Sequence, residues 1–195
     1  MPEQIGRPEN EDAAPGRCGY QGAPGAFSHE ACTDLRPWDE PVAYETFAEV
    51  IDALKAGQIG AALIPVENST IGRVEPAATL IEQSGLTIVS DVWRPIRLAL
   101  MAPHGASLRT VRTAESHPIA LRQCPASLAA LGVTPVEAFD TAGAARAVAE
   151  AGDLTRAAVA PARAAEVYDL SILRNDIQDS GDNRTRFVLL SAGIA

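Results

Sequence analysis

Residues 61–66, Ala-Ala-Leu-Ile-Pro-Val, form an unbroken apolar run of only six residues. That is far below the ~18 apolar residues of a membrane span. A short run without polar alternation fits a β-strand covered on both faces. Such a strand needs helices on each side, and the sequence supplies them. Glu45 to Lys55 reads as a helix, with Phe47, Val50, Ile51 and Leu54 at helical spacing and Gly57 as its stop. Pro76 to Ser84 reads as another, stopped by Gly85.

The same alternation runs along the chain. Gly19-Tyr20 opens a brief strand, residues 21–25 a turn, and Ala26 to Ala31 a helix start with Ser28 as N-cap. Pro41 to Tyr44 is a short strand. Leu86 to Val92 and Ile96 to Met101 are strands that can join, through Trp93-Arg94-Pro95, into one long bent segment. After His104-Gly105 a second set begins. It has a strand at Val111 to Ala114, a turn at Glu115 to Pro118, and helix from Pro118 to Leu131 with a break near Pro125. A strand at Val133 to Phe139 and a helix from Asp140 to Ala151 follow. Then come a strand at Ala157 to Ala160, a helix at Pro161 to Tyr168, a strand at Ser171 to Arg174, a polar loop, and a last strand at Arg186 to Ser191.

Strands alternating with helices predict an α/β fold with largely parallel sheets. Two such sets divide near Arg94-Pro95. With the last strand returning to the first sheet, two lobes joined by two crossings are expected: residues 17–94 with 175–195, and residues 95–174. A cleft between lobes is the default ligand site in such folds. Met1 to Gly16 lacks the basic start and apolar run of a signal peptide, so it reads as a disordered leader on a cytoplasmic protein.

Composition removes several function classes. The net charge of −9 repels phosphate backbones, and 5% aromatic residues make a poor base-stacking platform, so no nucleic-acid partner is expected. No membrane partner is expected either. Cys18, Cys32 and Cys124 have neither CxxC nor zinc spacing and read as reduced thiols; no metal is expected. Lys55 is the sole lysine among sixteen basic residues, so a lysine nucleophile is not expected, while arginines suit carboxylates.

Five polar clusters sit where strands end. Residues 22–28 place glycines before a helix start, leaving backbone N–H groups for an anion or simply making a turn and cap. Glu67-Asn68-Ser69-Thr70 follows the buried run directly and lies too far upstream to serve only as a cap for the Pro76 helix. Ser116-His117-Pro118 has no acidic partner at a recognisable spacing, which argues against a Ser-His-Asp triad there. Thr141-Ala142-Gly143 is a second small-residue helix start. Asn183-Arg184-Thr185-Arg186-Phe187 leads straight into the apolar Val188-Leu189-Leu190, so a rigid element holds it.

Together and in this order the clusters resemble the prephenate dehydratase family. The matching pieces are Tyr20 to Ser28, Ile64 to Gly72, Ser116-His-Pro with Gln123-Cys124, Asp140 to Ala145, and Asn183 to Phe187. The resemblance implies two α/β lobes like those of type II periplasmic binding proteins, with the active site in the cleft. It implies conversion of prephenate to phenylpyruvate in phenylalanine synthesis, with loss of carbon dioxide and water and without cofactor or metal. Thr185 would be the catalytic threonine, with Glu67, Asn68 and Ser69 in the catalytic set and Glu67 or a water resupplying the proton. Arg186 would clamp a substrate carboxylate. Ala26, Phe27, Ser28, Ser116, Gln123, Thr141, Ala142, Asn183 and Phe187 would complete the substrate site. Family members tend to pair, so a homodimer or higher homo-oligomer is expected. Arogenate dehydration, prephenate decarboxylation alone, and a non-catalytic sensor of aromatic acids stand as alternatives.

Two departures qualify the resemblance. Members usually carry a histidine in a Pro-Ile-x-His segment, where this chain reads Pro95-Ile96-Arg97-Leu98, with Arg97 as a candidate substitute. Many members also continue into a phenylalanine-binding ACT domain, and with the last residue at Ala195 no feedback inhibition by that route is expected.

Overall fold

The computed structural model describes residues 16–191; the leader expected over residues 1–16 lies, save for Gly16, outside them. The described chain divides into two compact units. One holds residues 16–23, Ser28–Pro95 and residues 182–191; the other holds Pro24–Phe27 and Ile96–Gly181.

The first unit is built on a mixed sheet in the order β2-β1-β3-β11-β5, with β4 paired to β3. Its strands are β1 (Arg17–Gln21), β2 (Glu40–Tyr44), β3 (Ala61–Asn68), β4 (Gly72–Arg73), β5 (Thr87–Pro95) and β11 (Arg184–Ser191). Helix α1 (Phe27–Leu35) covers one face. Its Ala31, Cys32 and Leu35 pack with Cys18, Tyr20, Leu63, Phe187 and Leu189. Helices α2 (Phe47–Lys55) and α3 (Ala77–Ser84) cover the other, where Val50, Leu54, Ala77 and Ile81 meet Ala62, Ile64, Val188 and Leu190. The apolar run in β3 is thus buried on both faces from Ala61 to Ile64, while Pro65 and Val66 are half-buried.

The second unit carries a sheet in the order β10-β6-β9-β7-β8. Its strands are β6 (Ala99–Ala102), β7 (Thr113–Ser116), β8 (Thr134–Glu137), β9 (Arg156–Ala160) and β10 (Ser171–Arg174). The short helices α4 (Pro118–Leu121) and α5 (Pro125–Ala130) pack on one face over Leu98, Leu100 and Val159. Helices α6 (Thr141–Ala151) and α7 (Ala162–Val167) close the other through an alanine-rich layer of Ala144, Ala145, Ala158 and Ala164. Among the described residues, no helix is long and apolar enough to cross a membrane.

The sheets are not largely parallel. The pairs β1–β2, β1–β3, β7–β8 and β7–β9 are parallel, while β11 runs antiparallel to both β3 and β5. The reason lies at one end of the first sheet. The chain leaves it at Pro95, the end of β5, and re-enters at Arg184, which is paired with Pro95. A strand that re-enters where its neighbour left must run the opposite way.

Other boundaries moved for local reasons. Trp93, Arg94 and Pro95 belong to β5, and β6 lies in the other sheet, so there is no single bent strand. Ser28 is the second residue of α1 and not its cap. Helix α2 begins at Phe47 because Thr46 caps it: Thr46 Oγ1 accepts from Glu49 N at 3.2 Å while Glu49 Oε2 accepts from Thr46 N at 3.0 Å. Glu115 and Ser116 are strand residues of β7 rather than a turn.

Phe187 is 2% exposed and sits between Tyr20, Leu63 and Leu189. Replacing it by Ala should cost about 3–5 kcal/mol, as for other buried aromatics, and Phe187→Leu much less. Urea denaturation reads both.

Candidate active site

The site starts from an irregularity in β3. Phe187 pairs with Pro65, but the next residue back along β11, Arg186, pairs with Glu67, so Val66 has no partner there. This is a β-bulge, and Pro65, which has no N–H to give the ladder, is a residue that bulges accommodate. Without it, side-chain alternation would put Asn68 on the face of Ile64 and Val66. With it, Asn68 stands opposite Thr185 on the face of Phe187, and Glu67 stands opposite Arg186 on the face of Val188.

Asn68 is fixed by its own loop. Its Oδ1 accepts from Thr70 N at 2.9 Å and Ile71 N at 3.2 Å, an Asx-type turn that also sets which way the amide points. Its Nδ2 then donates to Asn183 Oδ1 at 2.8 Å and Thr185 Oγ1 at 2.9 Å. Ser69 ties the same loop to the entry of β11. Ser69 Oγ donates to Asp182 O and accepts from Arg184 N, and Ser69 N donates to Arg184 O. Thr70 Oγ1 donates to Asn183 Oδ1 at 3.4 Å. Two clusters about 115 residues apart in the sequence therefore form one hydrogen-bonded group.

Thr185 is 8% exposed, and its oxygen accepts from Asn68. Among the described residues its own proton has no acceptor. A buried hydroxyl polarised by an amide donor, with an unused proton, is suited to donate to a ligand.

Glu67 and Arg186 are not brought to Thr185. They lie on the opposite face, where Arg186 Nη1 is 3.4 Å from Glu67 Oε2 and Arg186 Nε is 2.9 Å from both oxygens of Asp91, with Nη2 closer still to Oδ2. They border a cavity of about 400 Å³ with Arg73, Glu82, Ile81 and Val188. Arg73 pairs there with Glu75 and with Glu82 at 2.8 Å. The Arg186 hydrogen bonds hold the Asp91 carboxyl below the usual carboxylate range, and Asp91 in turn raises the guanidinium. Asp91 was missed in the sequence, because the register that sets Val188 beside Asp91, and so puts Arg186 within reach, depends on the direction of β11.

The remaining predicted residues are distributed. Ser28 and Phe27 open α1, Ser28 buried in the first unit and Phe27 packed with the core of the second. Ala26 follows Gly25, whose φ of +89° and a space only 3.0 Å from Ala164 Cα admit no side chain. Tyr168 Oη donates to Pro24 O at 2.7 Å beside it. Ser116 is fully buried and donates to Val159 O at 2.5 Å. His117 caps α4, its Nδ1 accepting from Ile119 N. Gln123 follows α4, and its carbonyl accepts from Asp179 N. Thr141 and Ala142 begin α6, whose first turn is already capped by Asp140 Oδ1 on Gly143 N at 2.6 Å. Leu98 is buried in the second unit's core, its N–H donating to Gln178 Oε1, while Arg97 pairs with Asp176 at 2.7 Å. The cysteines are free and buried; burial pushes the Cys124 thiol up to about 11.

A depressed folded pKa stabilises at pH values above the unfolded value and stops doing so as pH falls through the folded one. Arg186→Gln should therefore lower the urea midpoint at neutral pH. The gap to the unaltered protein should begin to narrow below about pH 4 and close as Asp91 protonates. Midpoints measured at steps between these limits read the gap.

The sequence pattern of the prephenate dehydratase family matches residues 18–194. The chain is 39% identical over 172 residues to a protein of Komagataeibacter europaeus named bifunctional N-acyl-homoserine lactone acylase/prephenate dehydratase, covering 88% of this chain and 61% of that one. It is 38% identical over 175 residues to arogenate dehydratase/prephenate dehydratase 2 of Arabidopsis thaliana, covering 90% and 46%. The chain thus spans about half to three-fifths of the length of these relatives. Among solved structures, one described as a novel type of quorum quenching acylase superposes with a TM-score of 0.85 at 38% identity, covering 92% of this chain and 65% of that one. A prephenate dehydratase from Arthrobacter aurescens in complex with L-Phe superposes with a TM-score of 0.81 at 25% identity, covering 92% and 61%.

Proposed function

Because the chain belongs to the prephenate dehydratase family, we propose that it converts prephenate to phenylpyruvate with Thr185 at the reacting centre. One observation carries the reading: the buried Thr185 hydroxyl accepts from Asn68 and keeps its proton for a ligand. As the ring carboxylate leaves as carbon dioxide, its bonding electrons move through the ring and expel the ring hydroxyl. Hydroxide is a poor leaving group in the absence of a donor, and Thr185 O–H supplies the hydrogen bond or proton as charge develops. The hydroxyl departs as water, and a solvent proton restores Thr185. Glu67, paired to Arg186 on the other face, is not needed in that step. Asn68 holds the threonine oxygen, and Asn183 and Ser69 hold Asn68 and the loop.

Arogenate differs from prephenate in an amino group replacing the keto group, and the same hydroxyl serves both. The free buried cysteines fit a reducing, cytoplasmic setting. Exposed Val136 and Phe139 on the second unit fit assembly with further copies.

A second reading, hydrolysis of an acyl amide as named for the Komagataeibacter relative, is favoured by one observation in the second unit. Ser171, His104 and Asp169 are hydrogen-bonded in series.

For the main reading, Thr185→Ala should lower kcat for phenylpyruvate formation about 10²–10⁴-fold, the range of a lost acid or base, with little change in KM. Thr185→Ser should retain most of the rate. The ultraviolet absorbance of phenylpyruvate in alkali reads both, and an unaffected Thr185→Ala variant would remove Thr185 from the reaction.

A further inference from the structure

Strand β10 lies at the edge of the second sheet, antiparallel to β6, with Ser171 opposite Ala102. Antiparallel pairing brings the residues just after β6 and those just before β10 to the same end. His104, two residues beyond Ala102, therefore comes to lie beside Ser171 and Asp169. Ser171 Oγ is 2.8 Å from His104 Nδ1, and His104 Nε2 is 2.9 Å from Asp169 Oδ1.

The series fixes the histidine tautomer. An ionised carboxylate can only accept, so Nε2 carries the proton, and the Nδ1 lone pair faces the Ser171 hydroxyl. A nucleophile within hydrogen-bond reach of a base, itself oriented by an acid, is the general arrangement of nucleophilic catalysis. The two ring nitrogens are exchanged relative to the serine protease order, but the roles of acceptor and donor are kept.

Two backbone features accompany the series. Asp169 has a φ of +54°, a conformation that non-glycine residues adopt at some cost, and such positions concentrate at functional sites. Tyr168 N and Leu170 N, on either side of it, donate to Ala164 O and Ala165 O and hold it there. Next to His104, Gly105 has a φ of +90°, and a Cβ on it would meet nothing within 4 Å, so that side is open to an incoming molecule. None of these residues belongs to the Thr185 group.

We propose that Ser171 is the nucleophile of a hydrolytic centre for small acyl esters and amides, with His104 as its base and Asp169 orienting it. The inference rests on the acylase reading and is independent of the dehydratase one. Ser171 Oγ bonds to the acyl carbon while its proton passes to His104 Nδ1. The carbon–oxygen or carbon–nitrogen bond to the leaving group then breaks, and the leaving alcohol or amine takes that proton. Water, deprotonated by His104, attacks the acyl-serine, releases the acid and restores the Ser171 hydroxyl. The side chains of His104 and Asp169 are 63% and 94% exposed, so solvent screens their coupling and the rate gain falls at the low end of general-base catalysis.

The test uses two probes on the whole chain: p-nitrophenyl butyrate turnover, and labelling by a fluorophosphonate located by peptide mass spectrometry. Thermal melts of each variant confirm folding. The expected result is label on Ser171, loss of the label in His104→Ala, and roughly 100-fold slower ester hydrolysis in Ser171→Ala and His104→Ala. Asp169→Asn should slow it less. Hydrolysis by the unaltered protein that persists in folded Ser171→Ala would overturn the assignment while leaving the acylase reading standing. Absence of both hydrolysis and label in the unaltered protein, with an N-acyl-homoserine lactone also left uncut, would overturn both. Neither result bears on phenylpyruvate formation.

Discussion

The bulge in β3 decides which polar side chains meet in the first unit. β-Strands send successive side chains to opposite faces, so one extra residue reassigns everything beyond it. Up to Pro65 the pairing with β11 is regular, and Leu63 and Ile64 divide between the two cores. Past Val66 the assignment reverses. Asn68 is delivered to the face of Thr185, and Glu67 to the face of Arg186. Val66 does not lose its main-chain role, since its carbonyl accepts from Val74 N at 3.0 Å. The bulge is closed on one side by an amide network and on the other by an ion-pair group, and each depends on the other's register.

The separation also resolves an electrostatic conflict. Arg186 near Thr185 would bring Glu67 and Asp91 with it, since both carboxylates hold its guanidinium. Two negative charges beside the hydroxyl would oppose binding of the proposed dicarboxylate substrate in a chain that already carries −9. On the far face they neutralise the arginine instead. On the Thr185 face the hydroxyl is met by neutral amides and hydroxyls, and its charged neighbour across β5, Arg94, is itself paired with Asp34.

How much of this was legible follows from what each signal encodes. The burial of β3 was readable because an apolar run reports two covered faces. The return of the last strand was readable from its apolar content, and its direction was not, because direction depends on which end of the sheet the chain re-enters. The pieces around Asn68 and Thr185 were visible as polar clusters, one following an apolar strand and one leading into another. The family resemblance set Asn68, Ser69 and Thr185 in one group, which their hydrogen bonds match, but it also put Glu67 there, and periodicity could not correct that because a one-residue bulge leaves no trace except Pro65. Ser116 and Thr141 entered the substrate set through the resemblance, and the local bonds around them, Ser116 to a main-chain carbonyl and Asp140 capping the helix at Thr141, were not encoded in their spacing.

The histidines show the same limit more sharply. His117 sits in a conspicuous Ser-His-Pro segment, and its Nδ1 does the work of a helix cap. His104 sits in an unremarked loop, and both of its nitrogens are engaged by groups 65 and 67 residues away. Spacing along the chain can identify a base only when its partners share an element, such as one turn of a helix. When the partners are brought in by antiparallel pairing at a sheet edge, the separation in sequence is set by whatever lies between the two strands. Here that is almost the whole of the second unit: the β7–β9 layer with its covering helices. The contact is therefore determined by the pairing of β6 with β10, and the spacing of the three residues along the chain carries no trace of it.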